Sequence, residues 1–378
     1  VWEKIAIHYS KVSHNAFDTR SVIKSINRSQ IGCIRKMNLH GDSIMSLSQT
    51  TRLNRRSLLI GTAATLSTLP FVAAPTHTNA QPQGALAMEK VTFTVDATPL
   101  VGNVYKMPQD GKRPAVAIIG PMTYQKEQAP TEYAKRLAEV GFVTMAYDSR
   151  YRGESGGDPR AWENPFHKVE DLKSAVAYLK SREDVDPDQV SILAICQGSS
   201  VAFRAAAELD GVHALATIAG HYRDHEGDIE WLTEEGYAAR KAQGQAAKTL
   251  FETTGEVQYI KGVDQTDTNV GMPGDFVWEW YQPWADRGQW ENRYAVMSDA
   301  DLLSYDSIGA AKSLTAPWLM IHGDYNFLPN AARRHMAAVP DTTKTKTIWG
   351  DTPHLAYYDQ PEAIDRAMRE VADWFLNV

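Results

Sequence analysis

The strongest constraint on how this chain can fold is an alternation of short apolar runs with helix-patterned stretches. Residues 115–119, 142–147, 190–195, 213–219, 318–321 and 344–349 read as strands. Helical stretches near 130–139, 167–180, 198–209 and 363–376 fall between or after them. In the second of these helices Val169, Leu172, Val176 and Leu179 recur at spacings of three and four, which puts them on one face. Two earlier runs, 90–95 and 101–107, read as a hairpin at a sheet edge. Strands apolar almost throughout are what a parallel sheet covered by helices on both faces requires. The expectation is an α/β protein: one doubly wound domain with a mostly parallel central sheet and flanking helices.

A long stretch, 221–310, interrupts this alternation and reads as a helical lid inserted into a core made of 81–220 and 311–378. It holds five of the ten tryptophans: Trp231, Trp278, Trp280, Trp284 and Trp290. Such crowding suits a lid's own core, an apolar substrate pocket, or both.

Residues 1–80 differ in composition. They carry 10 basic and 3 acidic side chains, whereas the whole chain has a net charge of -7. Arg55-Arg56 directly precedes an apolar stretch, and Thr78-Asn79-Ala80 supplies small residues suited to cleavage. The pattern resembles a twin-arginine export signal, so the expected location is the periplasm or outside the cell, reached after folding. The apolar stretch is too short and mild for a stable membrane span in the mature protein. The acidic remainder argues against nucleic-acid partners, which call for clustered lysine and arginine.

Only Cys33 and Cys196 are present, which rules out a disulfide-stapled scaffold. Cys196 is the single thiol of the body, so it is either a buried core residue or a useful one. Ala194-Ile195-Cys196-Gln197-Gly198 ends a strand and opens a helix. That turn needs small neighbours, and it projects its central side chain over the carboxyl edge of the sheet. The helix N-terminus behind it should lower the thiol's pKa and stabilise an oxyanion. Asp324 and His354 follow two later strands and reach the same edge. An imidazole there can take the thiol proton, and a carboxylate can orient the imidazole. Asp351 is a second carboxylate available for that task.

These residues resemble an α/β-hydrolase of the dienelactone-hydrolase-like branch, near its lidded polyketide-transferase-like and peptidase-S15-like members. The resemblance covers roughly residues 90–378. It is carried by Lys126-Glu127-Gln128, by Asp148-x-Arg150-x-x-Gly153-x-Ser155-Gly156-Gly157, by the cysteine pentapeptide, by Ile321-His322-Gly323-Asp324 and by residues 353–359. It implies a Cys196, Asp324, His354 triad. It further implies an oxyanion hole from the Gln197 amide and that of Met122 or Thr123, with Glu127 near the thiol.

Other candidates for the substrate pocket are His221, Tyr222, Trp278, Trp280 and Trp284. Arg223 disfavours a cation among His221, Asp224 and His225, so no metal and no cofactor is expected. The implied activity is hydrolysis of a small or medium apolar ester or lactone through a thioester. The alternatives are an acyltransferase or C–C bond hydrolase using the same triad, or a non-catalytic ligand-binding protein.

Overall fold

The computed structural model describes residues 84–378. The export-signal expectation for residues 1–80 lies outside them. The chain enters as a hairpin, β1 (Ala87–Val95) and β2 (Thr98–Lys106), then adds β3 (Arg113–Ile119), β4 (Val143–Tyr147), β5 (Val185–Ile195) and β6 (Leu215–Ile218). Two later strands, β9 (Trp318–Gly323) and β10 (Thr345–Gly350), complete an eight-stranded sheet of order β1-β2-β4-β3-β5-β6-β9-β10. Strand β2 runs antiparallel to β1 and β4, and all other pairs are parallel.

Alternation along the strands builds two cores. In β3, Val116 and Ile118 face one side while Ala115, Ala117 and Ile119 face the other. In β9, Leu319 and Ile321 join the first side and Trp318 and Met320 the second. Helices α1 (Ala129–Glu139) and α10 (Pro361–Asn377), the latter following the short α9 (Ala356–Asp359), cover the first side with Tyr133, Leu137, Val371 and Phe375. Helices α2 (Pro165–Lys180), α3 (Gly198–Glu208) and α8 (Pro329–Ala338) cover the second with Leu172, Val201, Phe203 and Ala332. Asn164 caps α2 by accepting from the backbone N–H groups of Phe166 and His167. Helix α8 has no counterpart in the sequence-based expectation, which ran from one late strand straight to the next.

Between β6 and β9 lie α4 (His225–Thr254), the two-stranded ribbon β7 (Tyr259–Ile260) with β8 (Tyr294–Ala295), α5 (Asp275–Asp286), and the short α6 (Ser298–Leu302) and α7 (Ile308–Ala311). Helix α4 is kinked at Thr233, whose φ is 64°. No described helix is long and apolar enough to cross a membrane.

Candidate active site

Cys196 sits where β5 turns into α3, with φ at 52°. A non-glycine residue held in this region stores about 1–3 kcal/mol of strain. Its neighbours hold it there: its N–H donates to Ile218 O at 3.1 Å, and its carbonyl accepts from Ser199 and His221 N–H, both at 2.9 Å. Gly198 is required because a Cβ there would lie 2.7 Å from the carbonyl oxygen of Gly120. The turn therefore presses against the loop that follows β3.

That loop brings the Met122 amide to the sulfur, where the Gln197 amide and the Tyr358 hydroxyl also bond it. Tyr281 Oη donates to Met122 O at 2.9 Å, and Trp290 Nε1 donates to Thr123 O at 2.8 Å. Both donors come from the segment between β6 and β9, so the amide-bearing loop is fastened from above. Thr123 adopts φ 60° there.

Burial dominates the electrostatics. Cys196 is 8% exposed, and desolvation pushes its thiol above the usual range although the amides and Tyr358 pull the other way. The expectation of a lowered thiol pKa is thus reversed: the helix terminus is present, but the sulfur is too deep for it to win. Burial, with His322 nearby, takes His354 down to about 3. The resting pair is therefore a thiol and a neutral imidazole. His354 Nε2 meets Tyr358 Oη at 3.1 Å, and its Nδ1 accepts the Phe327 N–H at 3.2 Å. Tyr358 thus stands between imidazole and sulfur.

Asp324 is not brought to His354. Its side chain is 62% exposed and paired with Arg333, and Trp349 also bonds it. No carboxylate among the described residues, Asp351 included, hydrogen-bonds the imidazole. Asn326, two residues beyond Asp324, is fully buried. Its Nδ2 donates to Thr352 O at 2.8 Å, and its Oδ1 has no partner.

A cavity opens over the sulfur, leaving about 60 Å³ for the centres of water-sized molecules. Met272, Phe276, Val277, Tyr281, Phe327 and Trp231 are among its walls, and Cys196, His221, His354 and Tyr358 are its polar groups. Of the pocket candidates only His221 lines it together with Met122. Tyr222 is sealed behind, bonded through its hydroxyl to Thr217 at 2.7 Å. Glu127 pairs with Lys126 away from the cavity. Trp278, Trp280 and Trp284 are packed outside the lining because α5 turns Phe276, Val277 and Tyr281 inward instead. Trp280 donates to Asp359 at 2.8 Å and meets the Tyr358 ring edge-on at 5.0 Å. Asp224 caps α4 through the Gly227 N–H and pairs with Arg334. The residues missed from sequence, Tyr358 and Phe327 above all, carry no chemical pattern of their own. For Tyr358 the available signals were its place in the 353–359 stretch and its four-residue spacing from His354.

The buried histidines predict an acid-sensitive fold. His354 titrates at about 3 and His322 at about 4, against 6.5 for a free side chain. Between those limits the unfolded chain binds protons that the folded chain refuses. Stability is therefore complete above about pH 6.5 and falls as the pH drops toward 4. A His322→Gln variant, which can still donate to Gly220 O, is expected to show a shallower fall of Tm with pH in circular dichroism melts. An unchanged slope would contradict the assignment.

The strand order and the cysteine elbow define the class: this chain has the α/β-hydrolase fold. More narrowly, the chain matches the model of the Dienelactone hydrolase family over residues 101–241. It is 36% identical over 135 residues to the uncharacterized protein YcjY of Escherichia coli (strain K12), covering 34% of this chain and 44% of that one. It is 26% identical over 165 residues to the acyltransferase drtE of Aspergillus calidoustus, covering 43% and 50%. The chain thus spans no more than half the length of these curated relatives. The solved structure of the alpha/beta hydrolase GrgF from Penicillium sp. sh18 superposes with a TM-score of 0.62 at 21% identity, covering 76% of this chain and 98% of that one. This last likeness concerns the fold.

Proposed function

We propose that this protein hydrolyses small or medium apolar esters or lactones through a thioester on Cys196. The observation that carries the reading is the convergence of the Gln197 and Met122 amides on a strained, cavity-facing thiol with His354 one hydroxyl away. A carbonyl carbon bound above the sulfur places its oxygen between those two amides. Sγ forms the new S–C bond while the carbonyl π electrons move to oxygen, where the amides hold the charge. The thiol proton passes by way of Tyr358 Oη to His354 Nε2, which then delivers it to the departing alkoxide as the C–O bond breaks. Water, deprotonated by the same imidazole, cleaves the thioester and restores the thiol. The almost wholly apolar walls favour an apolar acyl group.

The test uses p-nitrophenyl esters of graded chain length, with intact-protein mass spectrometry. The expected result is one acyl group per chain, mapped to Cys196 and absent in His354→Ala. Turnover with no adduct on Cys196 would rule out the thioester route. Likeness to a protein named acyltransferase raises a second reading, transfer to an alcohol or amine. Adding such an acceptor to the same assay and finding the acylated product in place of the free acid would establish it.

A further inference from the structure

The site as it stands poses a problem that its own residues answer. For His354 Nε2 to take a proton, the ring must carry its other proton on Nδ1. Yet Nδ1 faces a donor, the Phe327 N–H, and no carboxylate of the described residues bonds the ring. Asp324 points outward to Arg333, whose guanidinium lies 4.4 Å over the Trp349 ring. An acceptor for Nδ1–H is therefore needed within the segment that wraps the imidazole.

We propose that Asn326, and not Asp324, is the positioning residue of His354, so that the site operates as Cys196, His354 and Asn326. This rests on the reading of Cys196 and His354 as the reacting pair. Tyr325 O accepts the His354 backbone N–H at 3.2 Å, and the Phe327 N–H reaches the ring. Asn326 lies between them, fully buried. Its Nδ2 is committed to Thr352 O, two residues before His354, which fixes the amide orientation and leaves Oδ1 as the acceptor. That Oδ1 is buried with no partner, a costly condition that a donor from the neighbouring ring would relieve. A small rotation of the imidazole exchanges the Phe327 N–H for an Nδ1–H to Oδ1 bond and frees Nε2 as the base. An amide suffices because a thiol yields its proton far more readily than a hydroxyl, so less help from a fixed negative charge is needed.

The experiment measures kcat and KM for p-nitrophenyl acetate across pH, with adduct mass spectra and melting curves, for full-length Asn326→Ala, Asn326→Asp and Asp324→Asn. Asn326→Ala is expected to lose roughly 10–100-fold in kcat with KM within about twofold. Asp324→Asn should stay within about twofold of the parent in both parameters. Asn326→Asp should remain active with the acid limb of kcat/KM moved up by about one pH unit, since a carboxylate stabilises the imidazolium. Parent-like kcat in Asn326→Ala, an equal loss in Asp324→Asn, or an unmoved limb in Asn326→Asp would each overturn the assignment. If Asn326→Ala does not fold, the parent protein carbamidomethylated at Cys196 decides the matter by ¹⁵N chemical shifts of His354. A protonated Nδ1 supports the assignment and a protonated Nε2 overturns it. A parent that forms no Cys196 adduct would instead remove the nucleophile, and this assignment with it.

Discussion

Cys196→Ser is expected to yield a folded protein whose ester turnover is about a thousandfold or more below that of the parent. The change is small sterically and keeps a side chain at the φ of 52° that the turn imposes. The chemistry changes far more. A hydroxyl holds its proton several pKa units more tightly than a thiol, so its attack depends heavily on the base. On the proposed mechanism the base is an imidazole that burial takes down to about 3 and that lacks a carboxylate partner among the described residues. Such a base can help a thiol but is poorly matched to a hydroxyl. Steady-state hydrolysis of p-nitrophenyl acetate at pH 8, beside a melting curve, checks both halves. Turnover within tenfold of the parent would show that the imidazole is a stronger base than its surroundings permit.

The second large effect is structural. Gly323→Ala is expected to cost at least about 3 kcal/mol and to abolish activity. A Cβ at Gly323 would stand 1.9 Å from the carbonyl oxygen of Gly350, which is backbone and has no room to yield. Gly323 and Gly350 are partners at the last rung between β9 and β10. The chain leaves this rung on one side toward Asn326 and on the other toward His354. Forcing the two apart weakens the ladder and displaces the loops that carry the imidazole. Urea unfolding and the ester assay together test this, and a loss under about 1 kcal/mol with activity kept would refute it.

Much of this arrangement is legible in the amino-acid order. The central β strands announce themselves because both faces are buried and little but apolar residues survives there; Val116, Ile118 and Ala117 are examples. The elbow is legible because its backbone tolerates only small neighbours, and the two amides on the sulfur are those that the family resemblance implies. Helix α8 escaped notice although Pro329 opens it and Ala331, Ala332 and His335 mark its buried face. Its apolar residues are too small to stand out. The sign of the thiol's pKa shift was not legible, because it turns on depth beneath α5, which no local pattern encodes. Nor was the outward turn of Asp324, which follows from Arg333 on the next helix offering it a partner at the surface. Likewise Trp278, Trp280 and Trp284 look like pocket residues in one dimension. In three they form the outer packing of a helix whose inner side is Phe276, Val277 and Tyr281.

The hydrogen bonds from Tyr281 and Trp290 to Met122 and Thr123 tie the loop after β3 to the segment between β6 and β9. Of the two amides on the sulfur only that of Met122 belongs to the gripped loop, whereas that of Gln197 stands at the start of α3. On the proposed chemistry, loosening that grip would misplace one half of the anion receptor and leave the other half where it is. A shortened, permanently open variant would therefore be a slack catalyst and not a faster one.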